Sequence, residues 1–178
     1  YLRKRVEYFN RCNDIFECYH IEEKFEKLFS KKIWLKCGGY IIIDQTEALT
    51  VIDVNTGKYI GGKDLQDTVL KTNIEAAREI ARQLRLRDIG GIIIIDFIDM
   101  KEEEHQNIVI EVMKNALKKD KSKSYVWGMT HLGLLEMTRK KVVVPKEYML
   151  QSPCPCCLGT GRILSPQTIV KKIEKEIK

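Results

Sequence analysis

Two aspartates, each at the end of an apolar run, are the residues of this sequence best suited to do chemistry. Asp53 follows the run 48–52, and Asp96 follows the run 90–95. Runs rich in β-branched residues predict strands, and a helical stretch between them would let the two strands lie side by side in one sheet. Two neighbouring carboxylates are costly unless Mg²⁺, Lys or Arg offsets their charge, and the sequence leaves that choice open.

A hard divalent cation at this pair would give it a catalytic use. Bound Mg²⁺ can activate water and stabilise the charge that develops on a phosphate. Asn55 lies two residues after Asp53, so on an extended strand it shares the face of the aspartate, and its amide could hold a water molecule or a phosphate oxygen. Asp99 is a further candidate, although three residues after Asp96 it need not share a strand face. The alternative is that both aspartates form structural salt bridges.

From residue 40 onward, the elements that must position these residues follow the order β-β-α-β-α-β. This order indicates an α/β or α+β layered domain with its site at strand ends. Strands are predicted over 32–36, 40–44, 48–54, 92–98 and 124–129, and helices over 21–29, 64–87 and 102–119. The run 92–98 has no polar alternation before Asp96, so we expect a central strand covered on both faces. Residues 132–137 fit either a turn of helix or a strand, and residues 1–37 show no pattern that predicts chemistry.

Composition points weakly to a polyanionic partner. The net charge is +6, and Arg78, Arg82 and Arg85 fall at i, i+4 and i+7 of the predicted helix. This stripe either pairs with glutamates on a solvated face or binds backbone phosphates of a nucleic acid. Apolar runs such as Ile92–Ile95 fall far short of the ~20 residues of a membrane span. With no signal-peptide pattern at the start, a cytoplasmic protein without a membrane span is expected.

A cysteine motif follows in residues 151–162, where the composition changes. Cys154 and Cys157 have the spacing of a zinc knuckle, but tetrahedral structural zinc needs four ligands. The other two could be Cys156 plus a distant group, or the same motif from a second chain. A redox pair is the competing interpretation, although the prolines and the turn at 159–161 favour a metal loop. The six cysteines form no regular disulfide framework, which fits a reducing cytosol.

Several runs together, in the same order, resemble the catalytic region of the ribonuclease E/G family. The matching runs are 43–49, 52–55, 72–77, 80–91, 94–100 and 133–139, followed by the cysteine motif at 154–161. The resemblance covers nearly the whole chain. It implies an endoribonuclease that depends on Mg²⁺, with Mn²⁺ as a substitute ion. Such an enzyme cuts single-stranded RNA during RNA processing or decay and leaves 5′-phosphate and 3′-hydroxyl ends.

The resemblance also assigns roles to individual residues. In that family the positions matching Asp53 and Asp96 hold the metal, and the position matching Asn55 assists at the scissile phosphate, within a DNase I-like fold. The positions matching Cys154 and Cys157 form half of a zinc site shared between two protomers, so a homo-oligomer is expected. Residue 156 is a cysteine inside the motif, which is a departure from the pattern.

The same resemblance divides the chain into four parts. Residues 1–37 resemble the tail of an RNase H-like subdomain, 38–150 the catalytic domain, 151–162 the zinc link and 163–178 the start of a small C-terminal domain. The family's S1 and 5′-sensor domains precede this region, so a fragment of a longer enzyme is expected. The rival hypothesis is a non-catalytic, zinc-linked RNA-binding or assembly module. The cysteine motif alone also resembles the zinc repeats of J-domain chaperones, which have several copies.

Overall fold

The computed structural model describes residues 6, 8–10, 14–57, 65–157 and 159–177. The predicted start of the long helix at Asp64 lies outside these residues. The chain divides into two compact units, Tyr1–Lys146 and Glu147–Lys178. In the part of the chain that is described, no helix has the length and apolar character needed to cross a membrane. The four-part division expected from the sequence stays a prediction.

A mixed six-stranded sheet is the frame of the first unit. Its strands are β1 (Lys32–Trp34), β2 (Tyr40–Gln45), β3 (Leu49–Asn55), β4 (Gly91–Asp96), β5 (Ser124–Met129) and β6 (Leu134–Arg139). They lie in the order β1-β2-β3-β4-β6-β5. β3 and β4 are parallel, and every other neighbouring pair is antiparallel. The predicted α/β class is confirmed, and the undecided stretch 132–137 forms most of β6.

Helices form the second layer. The first unit contains α1 (Ile15–Cys18), α2 (Ile21–Leu28), α3 (Leu65–Arg87) and α4 (Glu103–Leu117), while α5 (Lys146–Leu150) begins at its last residue. α3 is the crossover between β3 and β4, the connection that a parallel pair requires. It ends at Asp88, which has a φ of 54°, and the N–H of Ile89 donates to the carbonyl of Leu84 at 3.1 Å. This left-handed cap turns the chain directly into β4.

The hydrophobic core lies between α3, α4 and one face of the sheet. β4 shows the arrangement most clearly, because Ile93 and Ile95 are fully buried whereas Ile92 is 51% exposed. The prediction that the strand 92–98 is covered on both faces is therefore wrong, and the strand also ends at Asp96. β-Branched residues favour strands on either face, so an unbroken apolar run does not by itself indicate two covered faces.

The second unit contains the cysteine motif and α6 (Pro166–Ile177). Ser165 caps α6, because its Oγ accepts a hydrogen bond from the N–H of Thr168 at 3.3 Å. Pro166 occupies the first helical position, where the missing N–H costs nothing.

Candidate active site

Asp53 and Asp96 lie side by side in the sheet. They are direct partners in the parallel register of β3 and β4, which places their Cα atoms about 4.8 Å apart. The residues before them, Ile52 and Ile95, are also partners and are fully buried on the opposite face. The core therefore holds both strands while the two carboxylates share the other, open face. The predicted juxtaposition is confirmed.

Asn55 completes a polar group on the open face. Its side-chain Nδ2 donates a hydrogen bond to Oδ2 of Asp53 at 2.7 Å. This contact fixes the orientation of both side chains, and it leaves Asn55 with a second amide hydrogen and an acceptor oxygen. Gly57 follows with a φ of 66°, and a Cβ there would clash with the carbonyl oxygen of Gly38. The turn after Asn55 therefore depends on glycine.

These side chains line a small cavity where the chain leaves β3 and β4. Its volume is about 330 Å³. The lining residues are Asp53, Val54, Asn55, Thr56, Asp96, Phe97, Ile98 and Asp99. Asp53, Asn55 and Asp96 therefore border a space large enough for a hydrated ion or a phosphate group.

The electrostatics of the cavity favour a cation. Partial burial raises the pKa of Asp96, and the negative charges of Asp53 and Asp99 raise it further. Within the described part of the chain, neither Asp53 nor Asp96 forms an ion pair with a basic side chain. Like charges held close together repel each other, and a cation bound from solution would relieve this repulsion.

The loop after Asp96 is held by a residue that the sequence interpretation missed. Asn73 of α3 is fully buried. Its Nδ2 donates to the carbonyl of Ile98 at 2.8 Å, and its Oδ1 accepts from the N–H of Ile98 at 3.1 Å. An asparagine at a core position of a helix was the available signal, because a buried amide requires partners.

The arginine stripe lies elsewhere. Arg82 binds Glu79 through Nε and Nη2 at 2.9 and 2.7 Å, and Arg85 donates to the carbonyl of Ala116 on α4 at 3.2 Å. The hydrogen bonds that Arg82 donates to the Glu79 carboxylate raise the pKa of Arg82. All three arginines, Arg78 included, belong to the helix that covers the opposite face of the sheet. The structure does not bring them to the aspartates, and their role in RNA binding stays a prediction.

The cysteine motif forms a tight turn in the second unit. The N–H and the hydroxyl of Thr160 both donate to the carbonyl of Cys157, at 2.9 and 2.7 Å. Hydrogen bonds from the backbone of Cys157 and Cys156, and then from their side chains, lower the pKa of the Cys154 thiol. This environment favours a thiolate, which is the form that binds zinc. No group of three or more His, Cys, Asp or Glu side chains placed to hold a metal occurs among the described residues.

Comparison with known proteins gives a consistent set of relatives. A model of the Ribonuclease E/G family matches residues 1–142. Ribonuclease G of Salmonella typhimurium is 45% identical over 176 residues, which is 99% of this chain and 36% of that protein. Ribonuclease E/G-like protein, chloroplastic, of Arabidopsis thaliana is 44% identical over 178 residues, 99% of this chain and 18% of that protein.

A second branch of the same group matches as well. Ribonuclease E of Escherichia coli is 41% identical over 166 residues, which is 91% of this chain and 16% of that protein. The chain thus spans only about a third of the length of the ribonuclease G relatives and less of the others.

Proposed function

The chain belongs to the ribonuclease E/G family, and on that premise we propose that it contains the catalytic centre of an endoribonuclease acting on single-stranded RNA. The observation that supports this most directly is the register that pairs Asp53 with Asp96 on the open face. The names of the relatives, ribonuclease G and ribonuclease E, agree with the same chemistry. We propose 5′-phosphate and 3′-hydroxyl ends as the products.

The donor set fits Mg²⁺. Two carboxylates from neighbouring strands, with an amide beside them, are oxygen ligands of the kind this ion prefers, and the cavity leaves room for waters and phosphate oxygens. Asp53 and Asp96 would hold the ion. When bound, it supplies Lewis-acid stabilisation of the charge on the phosphate and lowers the pKa of a coordinated water.

The residues themselves orient the reactants. Asn55 keeps the carboxylate of Asp53 in place through its hydrogen bond, and its remaining amide groups can bind a phosphate oxygen. Asn73 fixes the loop that follows Asp96, so the backbone at Asp96 lies between a strand packed on the core and a loop anchored by Asn73. Such pre-organisation reduces the cost of aligning the scissile phosphate.

The rival hypothesis, an assembly module with structural aspartates, requires these carboxylates to be neutralised within the fold. Structural aspartates of this chain do have such partners: Asp120 binds Arg139 at 2.7 Å, and Asp44 binds Lys31 at 2.6 Å. By contrast, burial and the charge of Asp53 raise the pKa of Asp96, and no basic side chain of the described residues forms an ion pair with either aspartate. This difference favours the catalytic interpretation.

The test compares carboxylates on one face of the sheet. Asp53→Asn and Asp96→Asn should each reduce Mg²⁺-dependent cleavage of an end-labelled single-stranded RNA by at least about a hundredfold, because several kcal/mol of charge stabilisation depend on the ion. Asp44→Asn is the matched control, since Asp44 lies on the same face at the end of β2 and pairs with Lys31. It should retain full cleavage.

A second readout needs no RNA. Binding of Mn²⁺, followed by electron paramagnetic resonance, should weaken in both aspartate variants and stay unchanged in Asp44→Asn. Unchanged cleavage or unchanged Mn²⁺ affinity in either aspartate variant would contradict the assignment. Circular dichroism establishes that each variant is folded.

We also propose that Cys154 and Cys157 supply half of a structural zinc site that links two chains. Two thiolates cannot fill a tetrahedral shell, and a second copy of the motif would supply the other two. The lowered pKa of Cys154 supports a thiolate at this turn. Zinc content and mass in solution test the link: about one zinc ion per two chains, in a dimer that a chelator dissociates, is expected. One zinc ion per monomer would contradict it.

A further inference from the structure

A lysine and two aromatic rings form a cluster at the β1 edge of the sheet. The Nζ atom of Lys32 lies 4.2 Å from the ring centroid of Trp34 and 3.6 Å from that of Tyr40. The two rings are 5.3 Å apart and meet edge to face at 63°. These three residues are called the aromatic cluster below.

The register places the aromatic cluster on the face of the two aspartates. Trp34 is the partner of Tyr40, and Tyr40 is the partner of Asn55. Directly paired residues project to the same face, so the three side chains form one row across β1, β2 and β3. Trp34 is two strand spacings, about 10 Å, from Asn55. Asn55 in turn binds Asp53.

The indole of Trp34 is exposed beyond what its neighbours explain. The residue is 63% exposed, although a tryptophan has more apolar surface to bury than any other side chain. The lysine alone has a structural explanation, since a charged residue on an edge strand discourages edge-to-edge pairing. Lys32 would prevent such pairing equally well if residue 34 were small or polar, so this role does not explain the exposed tryptophan.

We propose that Trp34 and Tyr40 stack against a nucleobase of single-stranded RNA and that Lys32 pairs with the adjacent phosphate. This inference rests on the proposed function, because it places the base beside the phosphodiester held at Asp53 and Asp96. Base–aromatic stacking tolerates every base, since each has a π-face. The lysine adds the phosphate contact that such sites combine with stacking. The aromatic cluster therefore aligns the RNA strand without selecting its sequence.

The opposite edge of the sheet offers a matched control. Lys123 lies over the ring of Tyr125 on β5, with Nζ 5.2 Å from the centroid. Tyr125 pairs with Thr138, which pairs with Ile92 at the start of β4. That position is four residues from Asp96, about 13 Å along the strand. The same chemistry thus occurs on the same face but far from the carboxylates.

Fluorescence gives a direct test because the chain has two tryptophans. In the variant Trp127→Phe, the remaining emission comes from Trp34. Titration with a single-stranded oligouridine RNA, in a chelator that prevents cleavage, should quench this emission. Tyr40→Ala in the same background should weaken the affinity roughly five- to a hundredfold, the range found when a stacked aromatic is removed. Tyr125→Ala should leave it unchanged.

Fluorescence anisotropy of a labelled RNA adds a second measurement. Trp34→Ala should weaken binding over the same range, whereas Trp34→Tyr should restore most of the affinity, because a tyrosine ring still stacks. Lys32→Ala should lower the slope of log affinity against log salt by about 0.7, because one phosphate of the single strand would no longer be neutralised.

The outcomes separate this inference from the proposed function. RNA that binds without quenching Trp34, or cleavage that depends on Asp96 and is unaffected by Trp34→Ala, would overturn the aromatic cluster as a subsite and leave the nuclease intact. Quenching of Trp34 together with a lack of Asp96-dependent cleavage would support the subsite and overturn the nuclease. A Trp34 signal that changes with protein concentration and not with RNA would identify an interface between copies of the chain and overturn the subsite.

Discussion

A carboxylate lies near each end of β4, and the pKa values of the two are shifted in opposite directions. At its start, Gly91 pairs with Arg139, whose guanidinium binds Asp120 at 2.7 and 3.1 Å. At its end, Asp96 faces another carboxylate, Asp53. Burial raises the pKa of Asp120, but the hydrogen bonds and charge of Arg139 outweigh that effect, so its pKa is lowered. The pKa of Asp96 is raised by burial and by its acidic neighbours.

This contrast favours a bound cation over a structural salt bridge as the partner of Asp53 and Asp96. An aspartate that stabilises a fold has its charge matched within the fold, whereas an aspartate that holds a cation does not. The two ends of one strand show both cases, with the same β-branched core between them.

The largest effect on stability is expected near the start of β4, where Asp120 binds Arg139. Asp120→Ala should lower the free energy of unfolding by about 3–5 kcal/mol, because the arginine would keep a buried, uncompensated charge. The side chains of Arg139 and Asp120 are only 4% and 3% exposed. Asp44→Ala is the control, since its ion pair with Lys31 is largely exposed and should be worth no more than about 1 kcal/mol. Urea unfolding measures both, and equal losses would remove the distinction.

The pH dependence of the Asp120 contribution has a defined sign. Because the folded-state pKa is lowered, the stabilisation is fully present above the unfolded pKa of about 4 and is lost as the pH falls through the folded pKa. The unfolding free energies of wild type and Asp120→Ala should therefore converge in acid. A constant difference down to low pH would contradict this account.

The next largest effect on stability is expected within β4 itself. Ile93→Ala should cost about 2–5 kcal/mol of stability, because Ile93 is fully buried between the sheet and the helices. Ile92→Ala, one residue away on the open face, should cost less than about 1 kcal/mol. Comparable losses in urea unfolding would mean that the open face is covered in solution.

The loop after Asp96 gives a smaller effect. Asn73→Ala should cost about 1–3 kcal/mol, because the partly buried N–H and carbonyl of Ile98 lose their partner. As a positioning residue, Asn73 should affect kcat more than KM, because its side chain is fully buried and cannot contact the RNA, whereas the loop it holds aligns Asp96. A variant with unchanged kcat and reduced stability would limit Asn73 to a structural role.

Residues whose partners are close along the chain or on predictable strands could be predicted from the sequence. Asp53 and Asp96 end two apolar runs, and Asn55 follows at a spacing of two, so their shared face could be inferred from strand periodicity alone. Asn73 and the aromatic cluster could not be found in this way. Their contacts depend on the register between β1 and β2 and on the packing of α3, which no local pattern specifies. The two-sided burial expected for β4 failed for a different reason, because β-branched residues favour strands whether or not both faces are covered.

A change of charge at Asp96 should affect stability in the opposite direction from the same change at Asp120. In a chelator, Asp96→Asn should be at least as stable as wild type at neutral pH, because a raised folded-state pKa means that the charged form of Asp96 destabilises the fold. As the pH falls through that pKa, wild-type Asp96 gains a proton and the difference should disappear. A large loss of stability in Asp96→Asn at neutral pH would instead assign Asp96 a structural role.

The smallest effect is expected at the arginine stripe on the opposite side of the sheet. Removing a side chain that neutralises one phosphate of a single-stranded RNA should lower the slope of log affinity against log salt by about 0.7. Arg82 already binds Glu79 through two nitrogens, so a phosphate must compete with this carboxylate. We therefore expect Arg82→Ala to lower the slope by less than the full value, and by less than Lys32→Ala. A full decrease for Arg82→Ala would show that RNA displaces Glu79 and follows the helical layer. An unchanged slope in both Arg82→Ala and Arg78→Ala would exclude these two arginines from the RNA path.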